Sequence, residues 1–380
     1  SLELIGLKAG SPGVNRAGIG WRLDGATKWN GWDVPSVITR AETADDATIS
    51  TAGFPHPQPI VRDDGTILII SGELGPLTRG VSSRLVATAG TFGATNSIYS
   101  EPKGLGDYLH PRGIKLPSGR VVVYHIVRDL KSDELQVRMI YTDDGTTFVE
   151  GEAGVLADAF DLSLFTTVSR LRVAYSPLTG QYLLTLELIA ATRTLHQFAS
   201  RDGVYFEAVG SAVTITQGHD TVWVAGYFVL IYDTSSQGKV RRLGSAFSEL
   251  SSAVYVLATQ IGTNSTVNGF ALAVDDTGTL YAYGGQTMGV SADAGASWNT
   301  GAATLIRWNG TGSYHNNCSA CWFRGQVVIT GNQTSPAANV FAISALRMGG
   351  YADLTLPPER ITQNVGRQMF WQDGWVGHDP

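Results

Sequence analysis

Cysteine is nearly absent: Cys318 and Cys321 are the only two in 380 residues. That rules out a disulfide-stapled scaffold, which needs several bridges. One CxxC supplies at most half of a four-ligand zinc site, and there is no second pair. Residues three apart on a strand also point to opposite faces, so two packed or half-buried thiols are expected, with no metal and no cofactor. Charge is scarce too, at 16% of residues, and the net charge of −6 includes no basic stretch. Nucleic acid is therefore not an expected partner, because a phosphate-binding surface needs clustered Lys or Arg. No apolar run approaches the roughly 18–20 residues of a transmembrane helix, so membrane insertion is not expected either. The start, Ser1-Leu2-Glu3-Leu4, lacks the basic and apolar regions of a signal peptide.

Glycine is plentiful instead, at 45 residues, and short apolar runs alternate with clusters of Gly, Asp, Asn and Ser. Many short strands joined by tight turns have this composition; helices do not. Three segments repeat one turn: Thr142-Asp143-Asp144-Gly145-Thr146-Thr147-Phe148, Ser200-Arg201-Asp202-Gly203-Val204-Tyr205-Phe206 and Ser291-Ala292-Asp293-Ala294-Gly295-Ala296-Ser297-Trp298. Each reads Ser/Thr, Asp two residues on, then Gly, then an aromatic. The carboxylates of Asp144, Asp202 and Asp293 can accept N–H groups of their own turns, Gly supplies a positive φ, and the aromatic plugs the hairpin. These aspartates are expected to be structural.

A second unit is an apolar strand pair around a tight turn. It runs through Pro59 to Ile70, Ile114 to Val123, Val173 to Leu184, Val222 to Ile231, Phe270 to Tyr281 and Ser319 to Ile329. Six copies spaced about 45–60 residues apart match the size of a four-stranded blade. The Asp turns fall where the third and fourth strands of a blade would meet, and blades one, four and six carry eroded versions or none. Blades cannot bury both faces alone, so an all-β, six-bladed propeller of four-stranded antiparallel blades is expected over 51–345. Residues 1–50, with Trp21, Trp29 and Trp32, and the aromatic tail 346–380 fall outside the repeat; they are expected to close the ring or dock a neighbour.

Asp turns at this place in a blade resemble the sialidase superfamily and its Asp-box relatives, over roughly residues 51–345. The stretch Arg347-Met348-Gly349-Gly350-Tyr351 resembles the exit from propellers on bacteriophage virion proteins. What the first resemblance implies for chemistry is a site at the channel mouth away from the Asp turns. A sialidase would begin blade one with Arg-Ile-Pro, whereas this chain has Phe54-Pro55-His56-Pro57-Gln58-Pro59, which disfavours sialidase activity. Arg112, Arg170 and Arg172 stand at other blade starts, with nothing in the sequence to bring them together.

Aligned on their turns, the six units place His56, His110, Arg170, His219, Asn268 and His315 just upstream of the inner strands. Four of the chain's seven histidines share this position. These six are the expected ligand-binding ring, although polar groups at a wet channel also satisfy one another and ordered water. If the imidazoles bind a neutral ligand, binding should weaken below pH 7; an anionic ligand should tighten. A glycosidase needs two carboxylates about 5–10 Å apart, and Asp107 and Asp220 are the only acids beside ring positions, with Glu73 on an upper loop. The expectation is a non-catalytic propeller facing a glycan or cell-surface receptor, with virion proteins or a second copy as further partners. The place would be a virion or an extracellular-facing surface after cytoplasmic synthesis. The alternatives are a glycoside hydrolase or polysaccharide lyase at the channel mouth and a purely structural assembly protein.

Overall fold

The computed structural model describes strands within residues 2–50 and, with gaps, residues 56–347; side chains are described only between 56 and 330. The gaps are 75–77, 88–91, 103–110, 129–134, 153–154, 157–166, 217, 235–237, 248–253, 258–269, 285–286, 299–303, 306, 309–314, 324–325 and 334–339. The expected tail beyond Arg347 lies outside the described residues. Among them there is no helix.

Six sheets follow one plan. Each begins with an inner strand (Gln58–Val61, Arg112–Lys115, Thr167–Tyr175, His219–Val224, Phe270–Val274 and His315–Phe323) and adds antiparallel neighbours outward in chain order; the third also carries Val155–Leu156, parallel to Tyr205–Ala208, at its outer edge. The inner strands contact one another in a closed cycle, from the first through to the sixth and back to the first. The fold is a β-propeller. In the sixth sheet the outermost strand comes from the other end of the chain: Thr48–Ser50 pairs with Val340–Arg347. Such pairing covers an edge that would otherwise expose unpaired backbone groups.

A further, five-stranded sheet departs from the repeat. It joins Leu2–Ala9, Asn15–Trp21, Asn30–Asp33 and Arg40–Ala41 to Arg307–Trp308, which pairs parallel with Arg40–Ala41. Residues 307–308, counted within the repeat on sequence spacing, thus belong with the N-terminal strands.

Propeller sheets are covered on both faces, so their strands lose the polar–apolar alternation of a half-solvated sheet. Tyr182–Ile189 is buried at every position but its last. One side of that strand packs Leu184, Leu186 and Leu188 with Phe206 against Tyr124 and Val137 of the second sheet. The other side packs Leu183 with Leu195 against Phe228 and Leu230 of the fourth. The inner hairpins turn at Gly65, Gly119, Gly180, Gly226 and Gly278, all at positive φ, where a Cβ would be strained.

The three repeated turns each begin at the end of a third strand. Asp144 Oδ1 accepts the amides of Thr146 and Thr147 at 2.8 and 2.6 Å and the Thr142 hydroxyl at 3.1 Å. Asp202 Oδ1 accepts Val204 N, Tyr205 N and the Ser200 hydroxyl at 2.8–2.9 Å. Asp293 Oδ1 accepts Ser297 N and the Ser291 hydroxyl, both at 2.8 Å. The hydroxyl in turn receives the turn glycine's amide, as in Gly203 N to Ser200 Oγ at 2.9 Å. Each turn is saturated by its own residues.

Candidate functional site

The inner edge of each first strand has no strand partner, so its N–H and C=O groups need other acceptors and donors. Side chains from neighbouring sheets supply several. The Gln58 amide receives Gly113 N at 2.6 Å and donates to Gly113 O at 2.8 Å. Asp220 Oδ2 accepts Leu272 N at 2.7 Å, and the Thr330 hydroxyl donates to Pro57 O at 2.7 Å. These bonds stitch first to second, fourth to fifth and sixth to first sheet.

Among these groups lies a layer of buried charge. Arg112, Arg170 and Arg172 are 2%, 3% and 2% exposed, and the structure brings together three arginines that the sequence left apart. Arg172 Nε lies 3.1 Å from Asp220 Oδ1, and its guanidinium donates to Leu171 O at 2.9 Å and across the channel to Cys318 O at 3.5 Å. Burial lowers its pKa to about 10, opposed by Asp220. Burial also lowers that of Arg170, opposed first by Glu187. Arg112 is lowered as well, by burial and then by the Arg172 charge. A guanidinium keeps its proton in a protein, so this cost is carried as a strained buried cation. Arg112 donates through Nη1 to His56 O at 3.0 Å and Pro111 O at 3.3 Å, whereas Nε and Nη2 are buried without an acceptor among the described residues.

Two carboxylates answer these three cations, and both are committed. Asp220 accepts Thr221 N at 2.9 Å besides Arg172 and Leu272 N. Glu187 is fully buried; Oε1 takes Arg193 at 2.5 Å, and Oε2 takes Gly218 N at 3.1 Å and faces His219 Nδ1 at 3.4 Å. Burial alone would raise Glu187, but the His219 bond, Arg170 and Arg193 hold it far below the usual carboxylate range. His219 bridges onward from Nε2 to the Thr185 hydroxyl at 3.0 Å, and burial lowers its pKa despite Glu187. It is therefore a buried structural imidazole that stays neutral near pH 7, not a freely titrating member of a ring.

Of the other expected ring positions, His56 and Arg170 keep the level of His219, and His315 does not. Counting five residues back from the last ladder pair of the inner hairpins reaches His56, His110, Arg170, His219 and, in the sixth sheet, Cys318. His315 pairs with Gln333 further up, beyond a register shift between Asn316 and Ser319, so it is not level with the others. His56 is half-buried with φ of +56°, uncommon for a non-glycine, and its carbonyl takes Arg112. His110, Asn268 and Asp107 lie outside the described residues. Glu73 sits inside strand Ile67–Leu74, not on a loop. No group of three His, Cys, Asp or Glu among the described residues could hold a metal.

A cavity of about 220 Å³ adjoins the layer. Its lining runs down the inner strands from Arg112, Arg172 and Asp220 to Lys115, Tyr175 and Trp223, toward the hairpin turns. Thr142, Ser200 and Ser291 pair with the first residues after those turns, so this described cavity lies on the same side as the Asp turns. The site expected from the sequence lies at the opposite mouth. Glu187 was missed altogether, although a carboxylate inside the apolar run Tyr182–Ile189 is itself a signal, since a buried charge demands partners.

No family model and no curated relative matches this sequence. Solved structures do. The Hadza microbial sialidase Hz136 is 12% identical with a TM-score of 0.56, over 87% of this chain and 73% of that one. The six-bladed β-propeller lectin of Aleuria aurantia, described with a novel fucose recognition mode, is 12% identical with a TM-score of 0.54, over 80% and 98%. A Trypanosoma rangeli sialidase mutant displaying trans-sialidase activity is 11% identical with a TM-score of 0.54, over 81% and 56%. At such identities the shared property is the fold.

Proposed function

We propose that this propeller is a non-catalytic glycan-recognition module that holds an acidic sugar by its carboxylate at Arg112. One observation carries the reading: a buried guanidinium with two donors lacking acceptors, beside a cavity, in a layer where three buried cations meet two carboxylates. A bound carboxylate would supply the missing acceptor and charge, and guanidinium–carboxylate pairing is directional and strong. Gln58, Ser319 and Thr221 line the same cavity and offer hydroxyl and amide partners to a sugar; Tyr175 and Trp223 offer apolar ring surface further out.

The state of the two described acids of the layer supports binding over turnover. A glycosidase needs one carboxyl group able to give a proton. Glu187 is held ionised by three partners, and both oxygens of Asp220 are occupied by structural bonds. The proposed setting, a virion or cell surface, rests on the Arg347–Tyr351 stretch and the aromatic flanks alone. A glycan array carrying neutral, sialylated and uronic-acid glycans, run beside a reducing-end assay on the same glycans, tests the reading. Salt-sensitive binding confined to acidic glycans, with no release, is expected. Binding only to neutral glycans overturns the ligand class, and sugar release turns the assignment to a glycoside hydrolase.

A further inference from the structure

A second, larger cavity of about 630 Å³ lies away from the channel, at the turn side between the third and fourth sheets. One wall is the end of the third sheet, with Gln181, Arg201, Asp202, Tyr205 and Glu207; the other includes Phe247, after the third strand of the fourth sheet. This is where the fourth sheet lacks the repeated Asp turn. Its chain reverses through Gly244–Phe247, with Phe247 N donating to Gly244 O at 2.9 Å. Phe247 takes a φ of +57° and stacks on Phe228 with ring centroids 5.4 Å apart. A bulky residue at positive φ is costly, and packing holds it there.

Three properties narrow what would fill the space. Its volume lies in the range of small-molecule sites, about 300–1,000 Å³. It combines aromatic surface with hydrogen-bonding groups: Tyr205 is 43% exposed although its strand neighbour Phe206 is fully buried, and Gln181 Oε1 is buried with no donor among the described residues. Its charge is one guanidinium, Arg201, against the carboxylates of Asp202 and Glu207, an excess of negative charge that repels anions. A ligand with an apolar face for an aromatic ring and hydroxyl donors for carbonyl and carboxylate oxygens is a neutral pyranose. We infer that this cleft is a second binding site, for a neutral saccharide, with Tyr205 as its stacking platform and Gln181 and Glu207 as hydroxyl acceptors. It is independent of the acidic-sugar reading of the channel, from which it differs in place and in preferred charge.

Saturation-transfer NMR tests this on the whole chain, using the methyl glycosides of galactose, glucose, mannose, fucose and N-acetylglucosamine. Transfer to at least one glycoside is expected, reduced about tenfold in apparent affinity by Tyr205→Ala, the scale of a lost aromatic contact of about 1.4 kcal/mol. Gln181→Ala should weaken it as well. Tyr205 is exposed enough for its replacement to leave thermal melting near wild type, which separates lost binding from lost folding. No transfer to any of the five glycosides overturns the site. So does transfer that survives Tyr205→Ala together with Gln181→Ala.

Discussion

The Asp turns and the arginine layer use one chemistry, oxygens meeting N–H donors, in opposite states of completion. In the turns a single carboxylate oxygen collects backbone and hydroxyl donors from within a few residues, at the solvent boundary. The Tyr205 and Val204 amides hold Asp202 below its ordinary range. Burial alone would raise Asp293, but the Ser297 hydroxyl and amide bring it to about 2. In the layer, buried guanidiniums come from two sheets, and Arg112 Nε and Nη2 have no acceptor among the described residues. A turn that closes on itself has a structural job; a buried donor left without an acceptor is where a partner or an ordered water is to be sought.

The largest test of this contrast is Asp220→Ala. It leaves Arg172 buried without its counter-charge and strands Leu272 N, so urea unfolding should show a loss of about 3–5 kcal/mol. A loss below about 1 kcal/mol would mean that the layer is wet and its charges cheap. Arg112→Met should do the reverse. Binding of acidic glycans should fall by about tenfold or more, the worth of a charge-assisted bond. Stability should hold or rise, since a costly buried cation is replaced by an apolar side chain of similar length. If the melting temperature drops sharply, Arg112 is a structural stitch.

Asp293→Ala should cost about 1 kcal/mol and leave glycan binding untouched, because its lost bonds are local and near solvent. The finest test is its pH dependence. A folded pKa of about 2, below the ordinary 3.8, means that the contribution of Asp293 is complete above pH 4 and is lost as pH falls through 2. Wild type and Asp293→Asn should therefore differ in stability at pH 7 and converge near pH 2. A constant gap would show that the carboxylate's charge contributes nothing.

How much was legible followed from range in the chain. The turns could be read because Ser200, Asp202 and Gly203 satisfy one another across three positions. The histidine ring was read by counting back from turn glycines. Although two residues separate Val224 from Tyr227 and five separate Val61 from Ile67, His219 and His56 stand equally far from those pairs; in the sixth inner strand a register shift carries His315 out of level. Arg112 and Arg172 could be placed at blade starts from the sequence, but their sharing of one buried layer with Arg170 could not be read there.

The sequence by itself determined the all-β class, the spacing of strand pairs and the chemistry of the Asp turns, because those depend on residues a few positions apart. Only the tertiary structure decided that Glu187, on a second strand, neutralises part of an arginine layer built from two other strands. It alone joined Arg307–Trp308 to the N-terminal strands and opened a cleft between the third and fourth sheets. Ring closure sets side chains from distant sheets against one another, and burial then makes their charges count: a guanidinium that would be solvated in an open chain must find its partners among whatever the ring has placed beside it.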